Sequence, residues 1–411
     1  MTTVFGRASA AAFAALLLAA TPQAAMAQKT PKAAAPKYSK AVQSLAAQAQ
    51  KAQGSGDWAG AVELLKQADA LPDKNADDIY IINMLTLNSA INLKDNALIE
   101  KSLEGALTSG KLPPEEEVKF RRNLGSMALQ RQDYGKAAVE FEKVLALNPS
   151  DTGLLVEIAE LQRRQGQNQK AIATLQQAIA TQEKTSKADE SWYRRALAIA
   201  YDSKLPAEIV STSEALVKAY PTPTNWRDVL IIYRDSAKLD DQGNLDVMRL
   251  IRANGALTGE RDYAEFAETA ATRGLPGEAK SVLDEGVAKG ALKAGTPFVK
   301  ELSAMVTPKA AADKAQLNQL EKEARAAANG RSAMGTADAN LGFGNWAKAA
   351  ELYKLALEKG GIDADTANLR LAFSLGNAGD KAGAEAALAK VAGAPRNQLA
   401  RYYGAWLNSK S

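Results

Sequence analysis

Apolar residues recur along most of this chain at intervals of three and four positions, the spacing that places them on one face of an α-helix. The clearest segment, from about Val118 to Asp151, holds two such stretches separated by a polar turn at 132–134. It ends at Asn148-Pro149, where proline stops a helix because its φ is fixed and it has no N–H. The pattern predicts two antiparallel helices joined by a short turn. The marker residues are Leu124, Gly125 and Ala128 in the first helix and Ala137, Phe141 and Val144 in the second.

A similar turn recurs at Gly56, Gly166, Gly274, Gly344 and Gly379. The residues that hold the place of Ala137 lie 38, 38, 34, 108, 70 and 35 residues apart, at Ala61, Ile99, Ala137, Ala171, Ala279, Ala349 and Ala384. The two long steps correspond to about three and two units of this length. The sequence therefore predicts three further hairpins, around Ile209, Asn244 and Lys314, and about ten units in all.

The order of Leu-Gly, a small residue, Ala, an aromatic and a closing Pro resembles the tetratricopeptide repeat (TPR), a helix-turn-helix unit. The resemblance implies an all-α fold, a right-handed superhelical solenoid of about ten TPR-like repeats. A lone helix pair cannot bury its apolar stripe, and stacked neighbours can. The markers fade between Ser186 and Asn329, so true TPR units and variant helical hairpins both stay open for that stretch.

The two ends of the chain carry signals of their own. Arg7, an apolar run at 8–20 and Ala25-Met26-Ala27 form a secretory signal that predicts cleavage after Ala27 and export to the periplasm or beyond. The run is too short to cross a bilayer. At the other end, 398–408 predicts a terminal helix that covers the last hairpin, with an aromatic ligand site as the alternative; its large residues are Leu399, Tyr402, Tyr403 and Trp406.

These signals divide the chain into five predicted parts. They are a signal peptide at 1–27, a Lys/Ala/Pro tether at 28–39, N-terminal TPR-like repeats at 40–185, degenerate helical-hairpin repeats at 186–329, and C-terminal TPR-like repeats with a capping helix at 330–411.

Composition removes most familiar active sites. Histidine and cysteine are both absent, which excludes Cys/His zinc sites, His-dependent nucleophiles and disulfides. The formal net charge of +4 is too small over 411 residues to indicate nucleic-acid binding. We therefore predict no catalytic residue, cofactor or metal, and a protein that is not an enzyme.

Three short motifs resemble ligand sites, but in each case the sequence argues against a site. Gly105–Leu112 is one residue short of a P-loop, because Leu112 stands where Ser or Thr must bind Mg²⁺. Gly342–Ala347 imitates a dinucleotide fingerprint, but the near-identical 54–59 shows that both are turns between repeat helices. The calcium-like run at 73–77 lacks the glycine that must follow it.

In TPR proteins the first helix of each unit lines a concave groove that holds peptides or helices, and the resemblance implies such a groove here. Basic residues dominate the corresponding positions from Lys119 to Arg234, and an Arg fork suits a carboxylate. Since exposed ion pairs contribute only about 0.2–1 kcal/mol each, apolar anchors such as Tyr201 and Tyr233 would have to contribute. The alternative is that the arginines pair internally with Glu157, Glu160 or Asp228. The candidate groove residues are Asn88, Lys119, Arg122, Asn123, Arg163, Arg164, Arg194, Arg195, Tyr201, Arg227, Tyr233 and Arg234.

The leading hypothesis is an exported, non-enzymatic scaffold that binds an extended acidic segment, or a helix, of a partner protein in this groove. This hypothesis predicts no nucleic-acid partner and no integral membrane segment after signal cleavage. A second hypothesis is a structural or assembly component of a cell-envelope complex, such as polysaccharide export or outer-membrane machinery, that uses other surfaces. A hydrolase based on carboxylates is the remote alternative.

Overall fold

The computed structural model describes residues 35–410, and its regular structure there consists of twenty α-helices. The predicted signal peptide and residues 28–34 of the tether lie outside the described residues. The helices are α1 Lys40–Gly54, α2 Trp58–Asp69, α3 Ala76–Leu93, α4 Asn96–Thr108, α5 Pro114–Gln130, α6 Tyr134–Leu147, α7 Thr152–Arg164, α8 Asn168–Gln182, α9 Glu190–Asp202, α10 Pro206–Ala219, α11 Pro223–Ser236, α12 Asp241–Ala253, α13 Gly259–Thr272, α14 Pro276–Ala288, α15 Pro297–Ala326, α16 Arg331–Gly342, α17 Trp346–Lys359, α18 Ala364–Ala378, α19 Lys381–Leu388 and α20 Arg396–Ser409.

Consecutive helices pair into helix-turn-helix hairpins, which confirms the predicted all-α repeat fold. The turns follow from the sequence, because Asp57, Asp133 and Asp380 each accept a hydrogen bond from a backbone N–H in the first turn of the second helix. Hairpins also form around Ile209 and Asn244, as predicted. The nine hairpins of the described chain are α1–α2, α3–α4, α5–α6, α7–α8, α9–α10, α11–α12, α13–α14, α16–α17 and α18–α19.

The hairpin predicted around Lys314 is wrong. In its place α15 runs for 30 residues without a turn. Residues 309–326 consist almost entirely of Ala, Lys, Glu, Gln, Leu and Arg, which are strong helix formers, and contain no glycine to make a turn. The long step in the repeat therefore marks a single continuous helix and not a degenerate helix pair.

The chain forms two compact units that divide between Phe120 and Arg121. The first unit contains α1–α4, whose apolar stripes bury residues such as Ala49, Leu65 and Leu103. The predicted internal divisions at 185/186 and 329/330 both fall inside the second unit. They reflect how clearly the repeat markers show in the sequence, and not where compactness changes.

Helices α12 and α18 lie at the centre of the second unit. Every residue from Leu245 to Ile251 in α12 and from Thr366 to Ser374 in α18 is buried. The terminal helix α20 packs against α10, α12, α18 and α19. The predicted helix therefore forms, but it covers the middle of the unit as well as the last hairpin. Leu399, Tyr402, Tyr403 and Trp406 are at most 1% exposed, so they are core residues and not an open aromatic site.

None of the helices between residues 35 and 410 combines the length and the apolar character needed to cross a membrane.

Candidate partner-binding face

Most of the predicted groove residues lie on the first helices of successive hairpins in the second unit. Side chains on these helices contact each other directly from one hairpin to the next. We call the exposed side of α7, α9, α11 and α13 the first-helix face.

Arginines on this side of the unit pair with carboxylates from the following hairpin. Arg194 on α9 donates from Nη1 to Oδ2 of Asp228 on α11 at 3.0 Å. Arg227 on α11 makes a bidentate pair with Asp262 on α13, both bonds 3.1 Å long. The same relation joins Arg234 to Glu265 at 2.7 Å, and joins Arg122 on α5 to Asp151, the N-cap of α7. We call this series the arginine ladder.

The remaining arginines of α7 pair within their own helix. Arg163 donates to both oxygens of Glu160 at 2.9 and 2.8 Å, and Arg164 donates to Oε1 at 3.1 Å. These hydrogen bonds lower the pKa of Glu160 to about 2. Two cations are thus matched by one carboxylate that stays ionised at any physiological pH. Most arginines of the face are thus held in ion pairs, which is the alternative of internal pairing that the sequence left open.

Two predicted groove residues belong to the first unit, where their contacts are local. Asn88 donates from Nδ2 to Oε1 of Gln53 at 3.4 Å, and Lys119 pairs with Glu116 one helical turn earlier at 2.7 Å. Asn123, on the part of α5 that belongs to the second unit, is half-buried.

The two predicted tyrosine anchors have opposite environments. Tyr201 at the end of α9 is 41% exposed, whereas Tyr233 on α11 is 1% exposed. The Tyr233 hydroxyl donates to the carbonyl of Pro395 at 2.7 Å, and its ring lies 5.2 Å from that of Tyr402. Tyr233 is therefore a core residue beneath the C-terminal helix and cannot anchor a partner. This burial could not be predicted from the sequence, because the partners of Tyr233 lie more than 160 residues away along the chain.

Two arginines of the first-helix face belong neither to the ladder nor to the ion pairs of α7. Arg195 on α9 and Arg261 on α13 are exposed and make no ion pair with any residue of the described chain. Arg195 was among the predicted groove residues, and Arg261 was not. These guanidinium groups can bind a carboxylate without displacing a partner that the fold already supplies.

A pocket of about 190 Å³ opens between α11 and α13. Its floor is apolar and is formed by Ile231, Met248, Ile251 and Leu257. We call it the apolar slot. Sequence reasoning missed it, because three floor residues come from α12 and the loop after it, where they have the spacing of ordinary core residues. Its rim consists of Arg227, Arg234, Asp235, Arg261, Asp262 and Glu265.

A second concentration of charge lies inside the unit. Asp246 and Arg249 on α12, Glu278 on α14 and Arg370 on α18 are at most 3% exposed. Arg249 binds both oxygens of Glu278 at 2.8 and 2.7 Å and also donates to Asp246 at 2.7 Å. The two carboxylates outweigh burial and raise the pKa of Arg249. We call these four residues the buried ion cluster; its carboxylates hold arginines and have no exposed edge for a substrate.

Among residues 35–410, no three acidic side chains lie close enough together to hold a metal ion.

Comparison with known proteins finds similarity to other repeat proteins. A family model for the fifth ARM repeats domain of TT21 matches residues 123–215, and no curated protein matches the chain. Similar solved structures include a tetratricopeptide repeat protein from Parabacteroides merdae, with 13% identity over 63% of this chain and 99% of that chain and a TM-score of 0.26. Another is pilF of Pseudomonas aeruginosa, with 13% identity over 64% and 97% and a TM-score of 0.23. A third is the C-terminal part of a TPR protein from Cytophaga hutchinsonii, with 10% identity over 79% and 98% and a TM-score of 0.25.

The helical hairpins confirm the all-α helix-turn-helix repeat architecture that the sequence markers predicted, and the chain is similar to an ARM-type repeat family over 123–215. Proteins built in this way commonly use the surface of the stack to bind other proteins.

Proposed function

We propose that this protein is an exported, non-enzymatic scaffold that binds an extended segment of a partner protein on the first-helix face. The observation that carries the proposal is the apolar slot, since it adds an apolar recess to helices that otherwise present paired charges. Burying one large aliphatic side chain contributes about 1.5–3 kcal/mol, more than an exposed ion pair at about 0.2–1 kcal/mol. The slot is therefore the anchor, and the charges around it select the segment.

The rim defines what the segment offers. Arg261 has no carboxylate partner in the described chain, so an acidic residue next to the apolar anchor would pair with it. Asp235 on the same rim also lacks an ion pair in the described chain, so a basic residue suits the other side of the anchor. Arg195, further along the face, extends the preference for acidic groups. The proposed partner is an extended segment with an aliphatic anchor and an acidic neighbour.

Affinity capture from an envelope extract, with the mature chain as bait, tests this proposal. Ile231→Glu places a charge in the slot, and Arg195→Glu with Arg261→Glu reverses the two unpaired cations. We expect each variant to lose at least about tenfold in capture of the main retained protein, which corresponds to about 1.4 kcal/mol. Val139→Glu and Lys354→Glu change exposed residues of second helices and serve as matched controls with unchanged capture. Equal retention by wild type and both face variants contradicts the proposal.

Arginines of the ladder are unsuitable for this test. Replacing Arg122, Arg194 or Arg227 by Glu places a new carboxylate beside an existing one and destabilises the stack itself. A loss of binding in such a variant would not distinguish recognition from folding.

Export is a separate part of the proposal and rests on the sequence of residues 1–27. Expression of the full chain in a bacterium with an outer membrane should give a periplasmic product whose amino terminus is Gln28. An uncleaved product that stays in the cytoplasm contradicts export and leaves the binding face to be judged by capture.

A further inference from the structure

A second cavity, of about 300 Å³, lies in the second unit and shares no lining residue with the apolar slot. Helices α12, α14 and α18 and the turn between α16 and α17 surround it. Exposed Ala253 and Gly344 lie at its edge, so the cavity is open to solvent there. Its volume is at the lower end of the range of small-molecule sites.

Aromatic rings form one wall. Phe266, Phe343, Trp346 and Phe373 line the cavity. Trp346 and Phe373 hold each other edge to face, with centroids 5.8 Å apart and an interplanar angle of 87°. A Cβ at Gly277 would lie 2.5 Å from the Phe343 ring, so the absence of a side chain there lets this ring occupy its place. The wall is built into the packing and does not need a ligand to form.

Charged pairs form another part of the lining. Arg249 holds both oxygens of Glu278, and Arg252 donates to Glu285 at 2.7 Å and to the Ser281 hydroxyl at 2.8 Å. Each guanidinium in the wall thus has its own carboxylate, and the four charges sum to zero. An ionic ligand would be desolvated without a countercharge, which is costly. The Arg249–Glu278 pair is buried, whereas the Arg252 and Glu285 side chains are about a quarter exposed. A neutral ligand with hydroxyl groups can therefore donate to a remaining lone pair of Glu285 and accept from an N–H of Arg252 without breaking that pair.

We propose that this cavity binds a neutral sugar ring. A pyranose presents flat C–H faces, which suit the aromatic wall, and a rim of hydroxyls, which suits the paired charges and the Asn377 amide. The volume fits one ring and not a long chain, so an oligosaccharide would be bound through a single residue. The site is independent of the first-helix face, and its ligand is of a different chemical class.

Titration calorimetry of the mature protein with glucose, galactose, mannose and N-acetylglucosamine tests the site, with glucuronate as the charged probe. We expect saturable binding of at least one neutral sugar with a Kd of about 1 mM or tighter, and at least tenfold weaker binding of glucuronate. Ala253→Trp fills the mouth of the cavity from an exposed position and should abolish binding. Ala311→Trp, on an exposed position of α15 outside the cavity, is the matched control and should bind like wild type.

Three results overturn the proposal: no saturable binding of any neutral sugar, equal or tighter binding of glucuronate, or binding that survives Ala253→Trp. Saturation-transfer NMR with the best sugar adds a second readout, because ring protons held against the aromatic wall should receive the strongest transfer. Protein capture on the first-helix face is unaffected by any of these outcomes, so the two proposals fail separately.

Discussion

Arg370 on α18 donates from Nε to Oδ1 of Asp246 on α12 at 2.9 Å, across 124 residues of sequence, and both side chains are at most 3% exposed. The same oxygen accepts a hydrogen bond from Arg249, which also holds Glu278. Arg370 also donates from Nη1 to Oδ2 of Asp338 at 2.9 Å. The buried ion cluster therefore ties the middle hairpins of the second unit to its last hairpin. Helix α20 covers the same region through a hydrogen bond of 2.8 Å from the Tyr403 hydroxyl to the Asp246 carbonyl.

Removal of the Arg370 guanidinium should be strongly destabilising. Arg370→Met leaves the buried carboxylate of Asp246 and the half-buried carboxylate of Asp338 short of a cation. Breaking a buried pair in this way costs about 3–5 kcal/mol. Arg401→Gln is the matched control, because it breaks a bridge to Glu214 in which the Arg401 side chain is 48% exposed, and should cost at most about 1 kcal/mol. Urea unfolding of the two variants measures the difference. Equal losses would mean that the cluster contributes no more than a surface bridge.

The two tyrosines that the sequence offered as anchors should behave in opposite ways. Tyr233→Ala empties a buried site and should cost about 3–5 kcal/mol, by analogy with other large aromatic truncations. Tyr201→Ala changes an exposed residue and should stay within about 0.5 kcal/mol of wild type. Thermal unfolding followed by circular dichroism decides between these expectations. A small effect at Tyr233 would contradict its place beneath α20.

Two glycines of α16 provide a matched pair for packing. A Cβ at Gly342 would lie 3.0 Å from Cβ of Glu278 and 3.2 Å from its backbone nitrogen, whereas a Cβ at Gly335 meets nothing within 4 Å. Gly342→Ala should therefore destabilise by about 1–3 kcal/mol. Gly335→Ala should be neutral or stabilise by up to about 1 kcal/mol, because alanine is the better helix former. Denaturant midpoints of the two variants that coincide would show that α14 and α16 do not pack closely.

Protonation of Glu160 should lower the stability of the protein in acid. Its folded pKa of about 2 lies below the unfolded value of 4.5, so the folded state binds fewer protons between these pH values. Its contribution is complete above pH 4.5 and is lost as the pH falls towards about 2. The melting temperature of Glu160→Gln should thus approach that of wild type over this range.

Glu157 on the same helix is the control for this prediction, since its shift has the opposite sign. Partial desolvation, opposed by Arg122 and supported by Asp151, raises the pKa of Glu157. Its folded state therefore takes up a proton more readily, and wild type should gain stability relative to Glu157→Gln as the pH falls through its folded pKa. Parallel pH profiles for the two variants would contradict the assigned ion pairs of α7.

The sequence predicted the parts of this fold that depend on neighbours in the chain. Gly-Asp turns such as 56–57 and the closing Pro149 locate hairpins, because capping and helix termination are local events. The burial of α12 could not be predicted, because Asp246 and Arg249 have the one-turn spacing of an exposed ion pair. Their additional partners lie on α14 and α18, and helical periodicity shows which side is apolar without showing what covers it.

The candidate site, too, could be predicted only in part from the sequence. The arginines of the first helices were identified from the repeat phase, and the alternative of internal pairing was visible because acidic residues occur one unit later. The slot required the structure, since Leu257 reaches the face from a loop. Tyr233 was misplaced because the helix that covers it is at the far end of the chain.

Site-specific photocrosslinking in cells tests the central claim most directly, with a benzophenone amino acid in place of Tyr201 or Arg261 on the first-helix face, and of Val139 or Lys354 on second helices. The account predicts that Tyr201 and Arg261 give an adduct with one and the same partner and that the two second-helix positions give none with it. Adducts confined to Val139 and Lys354 would contradict it and would indicate an assembly component that binds through the opposite side of its hairpins.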